Sequence, residues 1–128
     1  MGKIIAYCRE GCPHSINTAS VLSNLKKNNV EIISVPDNQI AKNDVFNKLN
    51  HLINNHRTFP IVIYETSKGK QYFIGGNDVF MSLIRLSESY QLHRDKNNIL
   101  KYILTSPSCN NLDDGQKRLL YYLIKNNS

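Results

Sequence analysis

The sequence predicts an α/β fold: a mixed four-stranded sheet in the chain order β-α-β-α-β-β-α, flanked by helices, plus extra C-terminal helices. Three observations predict this class. Short apolar runs alternate with segments of helical periodicity over the first two thirds of the chain. A turn signal at Lys68-Gly69-Lys70 separates two apolar runs as in an antiparallel hairpin. The chain has 128 residues, which is enough for one hydrophobic core and indicates a single domain.

The first three elements form a β-α-β unit. Residues 3–7 read as a short buried strand, and residues 16–27 read as an amphipathic helix, with Pro13 at the first helical position, where its missing N–H costs nothing. Residues 30–35 are strand-like and end at Pro36-Asp37. Such a unit implies a right-handed crossover and two parallel strands.

The middle of the chain continues the pattern. Apolar residues at helical spacing predict a second helix over about 42–55. Residues 61–64 and 71–74 then form the two arms of the hairpin. Gly75-Gly76 breaks the second arm, and Asp78 is available as the N-cap of the helix that follows.

The last third of the chain predicts two further helices, over about 97–104 and 113–124, separated by the loop 105–108. The second is strongly apolar, so we expect it to pack back on the sheet or the first helix rather than to dock a partner.

Cys12 carries the strongest chemical signal, since it precedes Pro13 at the point where a strand turns into a helix. Its sulfur would face unpaired backbone N–H groups and the positive end of the helix dipole. A thiolate is stabilised there, and its pKa should fall below the ordinary value of about 8.5. The alternative is that Cys12 is a small buried hydrophobe, as most free cysteines are.

Composition and charge argue against several classes of function. The net charge of +6 is spread over the chain without an aromatic-interleaved stripe, so nucleic-acid binding is not favoured. Cys8, Cys12 and Cys109 are an odd number without zinc-finger spacing, which argues against a structural metal and fits a reducing compartment. No apolar run is long enough for a membrane span, and we expect a soluble cytoplasmic protein without membrane partners.

Three segments, in order and spacing, resemble the glutaredoxins, which have the thioredoxin fold. Residues 7–15, Tyr-Cys-Arg-Glu-Gly-Cys-Pro-His-Ser, are similar to their active-site motif. Residues 57–60, Arg-Thr-Phe-Pro, resemble their Arg-Thr-Val-Pro segment, and residues 74–78, Ile-Gly-Gly-Asn-Asp, resemble their Gly-Gly segment. The resemblance covers about residues 3–92, so we expect a glutaredoxin-like domain at 1–92 and a C-terminal helical extension at 93–128.

The resemblance implies a role for each matching residue. Cys12 would attack a glutathione mixed disulfide, and Arg9 would lower its pKa and hold a carboxylate of glutathione. Pro60 would follow a cis peptide bond, leaving the backbone of Phe59 to pair with the tripeptide. The glutathione-binding residues implied in this way are Arg9, Pro13, His14, Thr58, Phe59, Pro60, Gly76, Asn77 and Asp78. The alternatives are an exposed charge for Arg9, an ordinary trans proline, and a plain helix cap for Asp78.

The chain departs from the family pattern at two positions. Ser15 replaces the second motif cysteine, which implies a monothiol mechanism with glutathione as co-substrate. Val79 occupies the usual second acidic position, which leaves Asp78 alone to meet the γ-glutamyl ammonium. Cys8 could act as a resolving thiol, but a buried strand cysteine is favoured.

The resemblance leaves three functions open. The first is a glutathione-dependent thiol–disulfide oxidoreductase acting on glutathionylated or disulfide-containing proteins. The second is a protein that binds a [2Fe–2S] cluster through Cys12 and glutathione, although Cys-Pro-His-Ser differs from the Cys-Gly-Phe-Ser usual in that class. The third is a redox-inactive module that binds a partner through its C-terminal helices.

Overall fold

The protein is described by a computed structural model that covers residues 2–25, 29–91 and 98–126. Within these residues the strands are β1 (Lys3–Arg9), β2 (Val30–Val35), β3 (Ile61–Glu65) and β4 (Gln71–Gly75). They form a mixed sheet in the order β2-β1-β3-β4. β1 is parallel to β2 and antiparallel to β3, and β4 is antiparallel to β3. The predicted sheet, with its parallel crossover and its hairpin, is therefore confirmed.

Helices flank this sheet on both faces. The described helices are α1 (Pro13–Ser23), α2 (Gln39–Ile53), α3 (Asn77–Gln91), α4 (Ile99–Thr105) and α5 (Asp114–Asn126), with a short 3-10 turn at Pro107–Cys109. The first seven elements follow the predicted order β-α-β-α-β-β-α, which confirms the fold class. The proposed boundary between residues 92 and 93 lies outside the described residues.

Alternation along the central strands divides the hydrophobic core between the two faces. Ile4, Ala6 and Cys8 of β1 face the larger cluster, which contains residues of α1, α3, α4 and α5. Ile5 and Tyr7 face the smaller cluster, which is covered by α2. Successive side chains of a strand point to opposite faces, so a strand buried on both sides reads as a continuous apolar run.

α5 is part of the larger core. Its Leu119, Leu120, Leu123 and Ile124 are fully buried in that cluster. A Cβ added to Gly115 would lie 2.7 Å from the Cβ of Tyr72, so the helix approaches β4 at a distance that only glycine permits. The hydroxyl of Tyr122 donates to the carbonyl of Gly2 at 3.1 Å and accepts from the backbone N–H of Asn29 at 3.0 Å.

The observed helix ends correct two sequence expectations. α1 ends at Ser23 rather than Lys27, and residues 26–28 lie outside the described residues. α2 begins at Gln39 instead of 42, because the side chain of Asn38 accepts from the N–H of Ala41 at 2.8 Å and caps the helix.

The expectation that Asp78 is an N-cap is wrong. α3 begins at Asn77, and the carbonyl of Gly76 accepts the first helical hydrogen bond, from Phe80. Asp78 therefore lies in the first turn of α3, where its carboxylate meets the positive end of the helix dipole.

Candidate active site

Cys12 is the N-cap residue of α1, with extended backbone angles, and Pro13 follows at the start of the helix. The turn before it requires Gly11, whose φ is +73°. The sulfur is held in a cleft, since only 5% of Cys12 is exposed and its Sγ lies 3.9 Å from the carbonyl oxygen of Phe59. The strand-turn-helix connection thus places one thiol against the loop that precedes β3.

The surroundings of Cys12 favour a thiolate. Burial alone would raise the pKa of this thiol, but the backbone N–H and hydroxyl of Ser15 and the guanidinium of Arg9 act in the opposite direction. The net result is a pKa below the ordinary value for cysteine. Donors aimed at a charged sulfur favour its charged form, whereas desolvation disfavours it, and here the donors prevail.

Ser15 has a second role in the same turn. It is 1% exposed, and its Oγ accepts the backbone N–H of Arg9 at 3.0 Å. One hydroxyl therefore ties the end of β1 to the first turn of α1 and also presents its proton toward the sulfur. Ser15 is therefore a structural part of the thiol site.

The guanidinium of Arg9 is paired with the carboxylate of Asp37. Its Nη1 lies 2.9 Å from Oδ1 of Asp37, and the same oxygen lies 3.3 Å from Nζ of Lys42. The hydrogen bonds from Arg9 and Lys42 lower the pKa of Asp37, which stays ionised. Arg9 is thus paired with a carboxylate, although the pair is open to solvent, and both Arg9 and Lys42 line the cavity that contains the thiol.

The loop before β3 forms the wall opposite the thiol. The Phe59–Pro60 peptide bond is cis, as the resemblance implied. The ring of Phe59 packs on Phe46 of α2, with centroids 5.2 Å apart. The guanidinium of Arg57 lies 5.5 Å from the centre of the Phe46 ring and donates to the side-chain oxygen of Asn50 at 3.0 Å. These contacts fix the loop on α2.

The Gly-Gly segment, Gly75-Gly76, lines a neighbouring cavity where β4 ends and α3 begins. Gly75 has a φ of +146°, and a Cβ there would lie 2.8 Å from the Cβ of Val79, so both conformation and contact require glycine. Oδ1 of Asn77 accepts from Asn17 Nδ2 and Thr18 Oγ1, each at 2.9 Å. This oxygen of Asn77 therefore joins α3 to α1 behind the thiol.

Two cavities of opposite charge flank Cys12 and share His14, Thr58 and Phe59 as lining residues. The basic cavity, of about 450 Å³, contains Cys12 and the cations Arg9, Lys42 and Arg57. The acidic cavity, of about 490 Å³, extends along the Gly-Gly segment and contains the carboxylates of Asp78 and Asp113. Together they form a groove that is cationic on one side of the site and anionic on the other.

The structure brings the sequence-predicted residues together around this groove. Cys12, Arg9, His14, Thr58 and Phe59 line the basic cavity, and Gly76, Asn77 and Asp78 line the acidic one. Neither predicted proline lines these two cavities: Pro13, which follows Cys12 in the chain, is exposed, and Pro60 is buried. The remaining cysteines are buried free thiols: Cys8 is 7% exposed and Cys109 is 1% exposed.

Sequence reasoning missed several residues of the groove. A charged residue next to a strand end, such as Asp37, carries no signal for pairing with Arg9. The signal for Asp113 and Gln116 was present as a capping box, in which each side chain accepts the backbone N–H of the other residue. The additional lining or supporting residues are Ser15, Asp37, Lys42, His56, Arg57, Asp113 and Gln116.

The described residues, 2–25, 29–91 and 98–126, offer neither a cluster of metal-ligating side chains nor a helix of membrane-spanning character. Those residues contain no group of three or more His, Cys, Asp or Glu placed to hold a metal ion. None of the described helices combines the length and apolar character needed to cross a bilayer.

Comparison with known proteins identifies the fold. No protein-family model matches the chain, and no curated protein sequence does. Among solved structures the chain is similar to glutaredoxin 1 from Francisella tularensis in a complex with cacodylate, with a TM-score of 0.52 and 15% sequence identity. The superposition covers 70% of this chain and 99% of that one. The protein therefore has the thioredoxin-like α/β fold found in glutaredoxins.

Proposed function

We propose that the protein is a glutathione-dependent thiol–disulfide oxidoreductase that reduces glutathione mixed disulfides, with Cys12 as its nucleophile. The observation that carries this proposal is the N-cap cysteine with a lowered pKa, held against the loop before β3. Thiolate nucleophiles that attack disulfides occur at such helix starts.

The charges of the groove support glutathione as the co-substrate. This tripeptide carries a glycyl carboxylate at one end and a γ-glutamyl ammonium and carboxylate at the other. The glycyl carboxylate fits Arg9, Lys42 and Arg57 in the basic cavity. The γ-glutamyl end fits the acidic cavity, where its carboxylate would meet the N–H groups at the start of α3. The backbone of Phe59 lies between them, beside the sulfur.

The proposed reaction has two exchange steps. The Cys12 thiolate attacks the glutathione sulfur of a protein–glutathione disulfide, forming a Cys12–glutathione disulfide and releasing the protein thiolate, which takes a proton from solvent. The thiolate of a second glutathione then attacks the glutathione sulfur bound to Cys12. Glutathione disulfide leaves, and the Cys12 thiolate is restored. In the net reaction, one protein–glutathione disulfide and one glutathione thiol become one protein thiol and one glutathione disulfide, so the second glutathione supplies the electron pair that reduces the protein sulfur.

The monothiol form of this reaction follows from Ser15. The position that would carry a resolving thiol has a hydroxyl bonded to the backbone of Arg9. Burial and the neighbouring charge of Cys12 raise the pKa of Cys8 to about 11, so at neutral pH it is a protonated thiol and a weak nucleophile. A second glutathione therefore completes the cycle.

The test is intact-mass analysis after incubation with glutathione disulfide, together with a deglutathionylation assay on a glutathionylated protein. We expect one glutathione adduct, located on Cys12, and loss of both adduct and activity in Cys12→Ser. Cys8→Ala and Cys109→Ala are the matched controls and should keep the adduct and most of the activity. Full activity in Cys12→Ser would refute the proposal.

A further inference from the structure

We infer that Asp113, from the C-terminal helical segment, is a specificity-determining residue of the groove that selects substrates carrying an ammonium group at the γ-glutamyl end. The inference rests on the proposed function and assigns one wall of the acidic cavity to α5. The other walls come from the loop before β3, from β4 and from the start of α3.

The position of Asp113 is fixed by hydrogen bonds on both sides. Its Oδ1 accepts the backbone N–H of Gln116 at 2.8 Å, and its own N–H donates to Oε1 of Gln116 at 3.0 Å. Nε2 of Gln116 donates to the carbonyl of Ile74 at 3.1 Å, directly before the Gly-Gly segment. The start of α5 is thereby fastened to the β4 edge of the cavity, so Asp113 keeps its place without a substrate.

The chemistry of the cavity explains what Asp113 would recognise. Asp78 and Asp113 are its two carboxylates, and its other titratable lining groups are the imidazoles of His14 and His56. Val79 lines the same cavity, but its side chain packs against Gly75 and brings no charge. The lining therefore offers a ligand amine two carboxylates, that of Asp78 in the first turn of α3 and that of Asp113 immediately before α5. One oxygen of Asp113 is used in the capping box, which leaves the second for the amine.

A charge-only substitution separates this role from the structural one. Asparagine caps helices as well as aspartate does, so Asp113→Asn keeps the α5 start and removes only the charge. Asp114→Asn is the matched control, because Asp114 is the next residue, pairs with Arg118 at 3.1 Å, and does not line the acidic cavity. Both variants change the net charge of the protein by the same amount.

The experiment compares two mixed disulfides that share 2-mercaptoethanol as the leaving thiol. One contains glutathione, and the other contains glutaryl-cysteinyl-glycine, which lacks the amine. The second-order rate constant for forming the Cys12 adduct is measured at low salt, where screening is weakest. We expect Asp113→Asn to slow the glutathione compound about three- to five-fold, the effect of one exposed ion pair. The rate with the amine-free compound should stay the same, and Asp114→Asn should change neither.

Each alternative outcome is decisive. Equal slowing of both compounds, no slowing of either, or the same pattern in Asp114→Asn would overturn the role of Asp113 while leaving the proposed function intact. If Cys12 of the unmodified protein forms no adduct with either tripeptide, the proposed function fails, and this inference falls with it.

Discussion

Replacing Ser15 by alanine tests the electrostatic account of the thiol. Ser15→Ala keeps the backbone N–H that faces the sulfur and removes only the hydroxyl. A hydrogen bond to a charged group contributes about 1.5–3 kcal/mol. One pKa unit corresponds to about 1.36 kcal/mol, so loss of this hydrogen bond should raise the pKa of Cys12 by about one to two units. The backbone N–H of Arg9 also loses its acceptor, so we expect a lower free energy of unfolding as well.

The assay is the rate of alkylation by iodoacetamide as a function of pH. If the pKa of Cys12 rises by one unit, the fraction of thiolate at pH values well below that pKa falls about ten-fold. The intrinsic nucleophilicity of the thiolate rises about three-fold at the same time. The rate at low pH should therefore fall about three-fold, whereas the plateau at high pH should rise about three-fold. Opposite changes at the two ends distinguish a pKa shift from a general loss of access to the sulfur.

The matched control for this prediction is Ser87→Ala. Ser87 is 3% exposed, and its hydroxyl donates to the carbonyl of Ile84 within α3. This variant removes an equally buried hydroxyl that makes no contact with Cys12, so its alkylation midpoint should match that of the unmodified protein. If the midpoint of Ser15→Ala also stays within about 0.3 unit of the parent, the hydroxyl does not stabilise the thiolate and the reasoning is wrong.

Two further predictions concern stability. Gly115→Ala brings a Cβ to 2.7 Å from the Cβ of Tyr72, and this overpacking should outweigh the better helix propensity of alanine. We expect the free energy of unfolding, measured by urea denaturation, to fall by about 1–2 kcal/mol. An unchanged urea midpoint would mean that α5 can shift on β4 at no cost. Because the folded pKa of Cys8 is about 11, the unfolded chain loses this proton first as pH rises above about 8.5, so stability should fall between these values. Between pH 8 and pH 10, the free energy of unfolding should fall less steeply in Cys8→Ala than in the unmodified protein. An identical slope in the two proteins would contradict the raised pKa of Cys8.

The elements near the thiol could be predicted because their signals are local. The apolar runs, Pro13 after Cys12 and the turn at Gly69 each determine structure within a few residues, and the observed order agrees with them. The capping signal of Asn38 is equally local, but apolar spacing alone does not contain it and therefore predicts a start of α2 three residues too late.

The charged lining of the groove could not be predicted in the same way. The pairing of Arg9 with Asp37 joins residues 28 positions apart, and Gln116 reaches the carbonyl of Ile74 across 42 positions. Such contacts depend on how α5 packs on the sheet and on where the chain runs after β2. The capping box predicts where α5 begins, but only the close approach of Gly115 to Tyr72 brings that beginning to the cavity.

The hydroxyl of Tyr122 has a consequence for assembly during translation. It holds the carbonyl of Gly2 and the N–H of Asn29 across sequence separations of 120 and 93 residues. β1 is synthesised before the other described strands, yet this hydrogen bond at its N-terminal end must await the synthesis of Tyr122 in α5. A nascent chain that stops short of Tyr122 therefore carries the Cys12 turn on a strand whose N-terminal end still lacks this hydrogen bond.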